Sequence, residues 1–108
     1  MTTKDESATD PEIFVARLHR DKIETYDRIH DSMTQQHADS VRRRFSLLDI
    51  YRLDDVLVMI KHPLPGQAPE ESAAVEEEFE RWREAVGECF SEFWRPANMI
   101  FELASAGR

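Results

Sequence analysis

The chain has one cysteine, three glycines and no apolar run approaching the ~18–20 residues that span a bilayer, and each scarcity removes a class of protein. A single Cys89 rules out an intramolecular disulfide framework and offers no Cys-x-x-Cys pair for a metal or redox site. It falls late in an apolar helical pattern, so core packing is expected of it rather than nucleophilic chemistry. Gly66, Gly87 and Gly107 lie too far apart for a phosphate-cradling loop, and no Gly-x-Ser-x-Gly nucleophile elbow occurs. Positive charge is short as well. Fourteen Lys and Arg face 22 Asp and Glu, and the net charge of −8 argues against a general binder of nucleic acid or anionic membrane. The basic cluster Arg42-Arg43-Arg44 reads as solvated charge at the mouth of a strand. The opening residues 1–11 are polar and lack the apolar stretch of a signal peptide, so a cytoplasmic protein is expected.

What is present is enough for one domain. At 108 residues, such a chain hides roughly 60–70% of its unfolded surface, and 41% hydrophobic with 33% charged residues is ordinary for a globular protein. Residues 1–11 read as a tail, 12–103 as the domain and 104–108 as a frayed end.

Between those ends the apolar period changes several times. Ile13-Phe14-Val15-Ala16-Arg17-Leu18 is short, β-branched and aromatic, which predicts a first strand. From Asp21, a plausible N-cap, Ile23, Tyr26, Ile29, His30 and Met33 recur at helical steps, predicting one helix to about His37 or Ala38. Residues 44–51 and 56–61 predict a hairpin turning at Arg52-Leu53-Asp54-Asp55. The continuous apolar run Val56-Leu57-Val58-Met59-Ile60 suits a central strand. Prolines 63, 65 and 69 mark a loop, after which Val75, Phe79, Trp82 and Val86 line one face of a second helix running from about Glu71. The glutamates 76–78 form its solvated face. Residues 98–103, Asn-Met-Ile-Phe-Glu-Leu, predict the last strand. The order β-α-β-β-α-β is that of an α+β, ferredoxin-like fold: a four-stranded antiparallel sheet with two helices on one face. The other face then needs cover, and a second subunit would supply it.

Tyr26 and His30 are four residues apart and project from the same side of the first helix. They are either amphipathic residues at the edge of a core, or a titratable imidazole beside a phenol that binds a polar ligand. Spacing alone leaves both readings open. His37 lies two turns on, about 10 Å by helix rise, too far to share a metal ion with His30. His19 and His62 have no paired ligand pattern, and neither a metal site nor a cofactor is expected. Trp82 and Trp94 are either core or, beside a polar cleft, platforms for the apolar face of a sugar ring. Phe90 and Phe93 enlarge the aromatic supply near Trp94.

Taken in order, these residues resemble the L-rhamnose mutarotase family, small ferredoxin-like proteins that pair as dimeric α/β barrels. The resemblance rests on Phe14-Val15, Tyr26-x-x-x-His30, Val56-Leu57-Val58-Met59-Ile60, Trp82, and the ending from Trp94 through Ile100-Phe101-Glu102-Leu103. It covers residues 12–103. The resemblance implies a homodimer and a cofactor-free isomerase acting on a monosaccharide, with His30 as acid/base and Tyr26, Phe45 and Trp82 as substrate contacts. Phe45 stands where the family tends to carry a tyrosine, the Trp-Pro pair that commonly follows the histidine is missing, and Arg83 replaces a second tryptophan. A non-catalytic binding module and a cofactor-free monooxygenase would use the same scaffold.

Overall fold

The computed structural model describes residues 11–66 and 70–103. The expected frayed end, the expected tail except Pro11, and residues 67–69 of the expected loop lie outside the described residues.

The elements run β1 (Glu12–Leu18), α1 (Ile23–Asp31), α2 (Gln35–Arg44), β2 (Phe45–Leu53), β3 (Val56–Pro63), α3 (Ala73–Gly87) and β4 (Phe90–Pro96). The four strands form one sheet in the order β2-β3-β1-β4 with every neighbour antiparallel. The protein therefore has the α+β, ferredoxin-like fold. β3 and β1 are central, as their apolar character requires. The β2–β3 turn is Asp54-Asp55, and Asp54 adopts φ 55°, a left-handed conformation that a short polar side chain tolerates.

Strand pairing sorts the residues by face. Ala16 pairs with Leu57, and Leu57 with Arg52; Phe14 pairs with Met59, and Met59 with Ile50. This face meets the helices, and Ala16, Leu18 and Leu57 are buried there with Tyr26, Val86, Cys89 and Phe90. The opposite face carries Ile13, Val15, Val58, Ile60, Tyr51 and Leu53, with Tyr51 58% and Leu53 75% exposed.

Several sequence expectations are corrected. In place of two helices on the sheet there are three among the described residues, because the expected first helix breaks after Asp31. Ser32 Oγ donates to the Ile29 carbonyl at 2.8 Å and closes α1, while Thr34 caps α2 by accepting from the His37 N–H at 3.0 Å. Asp21 is not the N-cap. It lies within a short 3-10 turn, Arg20–Lys22, that precedes α1. Helix α3 is capped by Ser72, which accepts from the Val75 N–H, so Glu71 lies outside it.

Glu71 is instead the anchor of the arginine cluster. Arg43 and Arg44 reach it at 3.2 and 3.3 Å, Ser40 donates to it, and its side chain is 3% exposed. These arginines therefore tie the end of α2 to the segment before α3, with only Arg42 turned to a local partner, Asp39. Of the glutamates expected in solvent, Glu78 is half-buried and accepts from Thr34 Oγ1 at 2.6 Å.

The last strand is the largest correction. β4 is Phe90–Pro96, not residues 98–103, and Trp94 lies inside it. Helix α3 stops at Gly87, and Cys89 N–H donates to the Val86 carbonyl in a tight turn that delivers Phe90 directly opposite Leu18. The segment beyond Pro96 leaves Met99, Ile100, Phe101 and Leu103 exposed, Ile100 at 96%.

Candidate functional site

The helix-facing side of the sheet and the helices above it enclose an open cleft of about 830 Å³, within the range of small-molecule sites. Tyr26, His30, Phe45 and Trp82 all line it. The sheet contributes an apolar floor from Ile50, Leu57 and Met59, while Asp27, Asp31, Arg42 and Arg52 bring charge to the lining. Arg52 binds Asp27 at 2.8 Å and so fixes α1 to β2 beside the cleft.

Tyr26 and His30 meet because the α1 repeat places them one turn apart, with ring centroids 4.3 Å from each other. His30 Nδ1 lies 3.1 Å from the Tyr26 carbonyl oxygen. A carbonyl only accepts, so Nδ1 is the donor and, in the neutral ring, Nε2 keeps its lone pair. Burial pushes the His30 imidazole below its ordinary value, opposed by the Tyr26 carbonyl and by Asp27 and Asp31. The balance favours a neutral ring, the form that takes up a proton. Burial raises the Tyr26 phenol, with Cys89 and Asp27 adding to the effect, so it stays protonated and can donate.

Trp82 projects from α3 and meets His30 edge to face, with centroids 4.9 Å apart and planes at 78°. His37 meets the same indole in the same manner, at 4.9 Å and 80°, and stacks on Phe79 at 4.5 Å. Sequence spacing places His37 on the same helix as His30, two turns on. The break between α1 and α2 places it instead in the first turn of α2, buried against α3. The signal for that break was Ser32 and Thr34, two residues suited to ending one helix and capping another.

Phe45 begins β2 and holds the Lys61 ammonium 5.4 Å from its ring centroid; Phe14 shares that cation at 4.8 Å. It gives the cleft an apolar wall without a hydroxyl. Trp94 also lines the cleft and contacts Phe90, which in turn meets Tyr26 edge to face. Cys89 is buried, and its thiol is pushed up by burial, away from nucleophilic chemistry. Among the described residues no group of three or more His, Cys, Asp or Glu is arranged to hold a metal ion, and no helix is long and apolar enough to cross a membrane.

A neutral imidazole, a protonated phenol and an indole thus share one cleft. They suit a neutral polar ring whose hydroxyl protons are to be moved.

No protein-family model matches the chain, and no curated protein matches it by sequence. Solved structures do. An L-rhamnose mutarotase, FA22100 from Formosa agariphila, superposes with a TM-score of 0.64 at 14% identity, covering 88% of this chain and 99% of that one. A candidate antibiotic biosynthesis monooxygenase from Nitrosomonas europaea superposes with a TM-score of 0.53 at 19% identity, covering 81% of this chain and 84% of that one. At these identities the likeness is one of fold: a four-stranded antiparallel sheet backed by helices, in the ferredoxin-like order.

Proposed function

We propose that the cleft is a sugar site in which His30 interconverts the α and β anomers of a 6-deoxy-hexose such as L-rhamnose. The observation that carries this reading is the His30 imidazole, oriented by the Tyr26 carbonyl and set against the Trp82 indole in the same cleft. Its Nε2 takes the proton from the anomeric hydroxyl as the bond from C1 to the ring oxygen breaks. The ring oxygen receives a proton from the Tyr26 hydroxyl or a water. Rotation about C1–C2 and closure by the reverse transfers give the other anomer and restore both groups. The reaction consumes nothing, and one positioned acid/base contributing ~10²–10⁴-fold meets its modest demand. Trp82 offers its face to the sugar's C–H groups, and Phe45 the apolar surface that suits a methyl-bearing sugar. The extensive superposition on a structure described as an L-rhamnose mutarotase supports the reading.

Saturation-transfer NMR on equilibrated L-rhamnose tests it. Wild type accelerates exchange between the anomeric protons, and His30→Ala loses the acceleration. A His30→Ala protein with the full rate refutes the assignment. The monooxygenase likeness supplies a second reading on the same scaffold. It predicts oxygen consumption with a polycyclic phenol, and no anomer exchange.

A homodimer is part of the proposal. The exposed Tyr51 and Leu53 on the helix-free sheet face, together with Ile13, are apolar surface that a second copy would cover. Sedimentation as a monomer at micromolar concentration would remove it.

A further inference from the structure

Among the described residues, two buried polar atoms without a hydrogen-bond partner sit on adjacent rings: Trp82 Nε1 and His37 Nδ1. Their chemistry is complementary. An indole N–H only donates, whereas a neutral imidazole carries one nitrogen that only accepts. Leaving either group buried and unpaired forfeits its hydration without return, so an arrangement that joins them is favoured over one that orphans both. The two rings already touch edge to face with centroids 4.9 Å apart.

Several neighbours are otherwise engaged. Thr34 Oγ1 accepts from the His37 N–H and donates to Glu78, and Phe79, on which His37 stacks, has no polar atom. The third buried orphan, Arg44 Nε, belongs to a guanidinium that lies over Phe79 and binds Glu71. It is seven residues along α2 from His37, about 10 Å of helix rise.

We infer that neutral His37 accepts a hydrogen bond from the Trp82 indole N–H, and is thereby a positioning residue that holds the Trp82 wall of the cleft against His30. His37 is not among the cleft-lining residues and acts on a ligand only through Trp82. Protonation of Nδ1 removes the acceptor, so the bond is lost in acid. The groups facing His37 are Glu78 and Arg83 on α3 and His30 on α1. Glu78 favours its protonated form, while burial, His30 and Arg83 disfavour it.

The role of Trp82 as a sugar platform rests on the proposed function, but the hydrogen bond does not, and it is tested first without ligand. The chain has two tryptophans, so Trp82→Phe assigns the Trp82 indole cross-peak in a ¹H–¹⁵N spectrum. In wild type that peak stands at a hydrogen-bonded shift at neutral pH, exchanges slowly with solvent, and moves toward the free position as acid protonates His37. His37→Phe keeps an aromatic ring but no acceptor, and places the peak at the free position at every pH. His37→Gln restores an acceptor that does not titrate, and keeps the bonded shift across the range.

Two results overturn the inference. One is an indole peak indifferent to His37→Phe. The other is a peak that still titrates in His37→Gln, which would put the responsible charge on His30. In the anomer-exchange assay, loss of one such hydrogen bond in His37→Phe raises KM about tenfold with little change in kcat, and His37→Gln restores it. If no anomer exchange is found with any 6-deoxy sugar, the proposed function falls while the indole spectrum still decides the hydrogen bond.

Discussion

Leu57 and Leu18 are both fully buried, at 0% and 1% exposure, yet their truncation to alanine should not be equally damaging. A buried Leu→Ala change costs about 2–5 kcal/mol, and the spread depends on the hole left behind. Leu18 ends β1, outside the cleft lining, and packs into the closed cluster with Cys89 and Phe90. Its loss opens a hole away from the cleft, closed in by the buried core cluster, so the upper half of the range applies, about 4 kcal/mol. Leu57 lies on central β3 with Ala16 and Arg52 as cross-strand neighbours, and it also floors the open cleft. No water touches the Leu57 side chain itself, but truncation there opens the hole onto the cleft that it backs, so the cavity penalty is relieved and about 2–3 kcal/mol remains. The difference of about 1 kcal/mol or more is measurable by urea unfolding, provided the slope with denaturant is unchanged between variants. Both proteins should still fold if total stability lies in the usual ~5–15 kcal/mol range. Equal costs, or a larger cost at Leu57, would show that the cleft is shut in solution and would refute the reasoning.

Three further outcomes follow from the same contacts. His30 and His37 are both held below the ordinary imidazole value, mainly by burial, so the unfolded chain binds more protons than the folded one in mildly acidic solution. Stability should be complete above the unfolded value near 6.5 and fall as pH drops through it toward the lower folded values, with a weaker fall in His37→Phe; a rise in stability over that interval contradicts the burial argument. Thr34→Ala should cost about 1 kcal/mol by removing the α2 cap and its bond to Glu78, while Thr34→Ser stays close to wild type in thermal unfolding. Cys89, buried with its thiol near the Ala85 carbonyl, should react with an aromatic disulfide reagent only at the rate of local or global opening; immediate labelling of native protein would place it at the surface.

Which parts of this architecture were legible beforehand follows from the range of the forces involved. Strands β1 and β3 and the apolar face of α3 are written in short-range periodicity, because burial on one sheet face or one helix stripe demands it of neighbouring residues. The pairing of Tyr26 with His30 is likewise local, a consequence of 3.6 residues per turn. The break between α1 and α2 was also local, carried by Ser32 and Thr34, but the apolar positions that continue through Met33 masked it. Glu71 could not be recognised as an anchor, since the arginines it holds are 27 and 28 residues away.

What the tertiary structure decided is the last strand and the far side of the site. Residues 90–96 and 98–103 are both apolar enough to pair with β1, whose free edge takes only one of them. The choice went to the segment that the short turn after Gly87 delivers against Leu18, and that places Phe90 and Trp94 in contact with the core. The meeting of His37 with Trp82 and Phe79 needs α2 and α3 to pack together, over a separation that no local period encodes. The sequence by itself thus determined the α+β, ferredoxin-like class and the His30–Tyr26 pair. Only packing, which brings distant residues together to bury apolar surface, decided how the cleft is walled and which second histidine stands behind it.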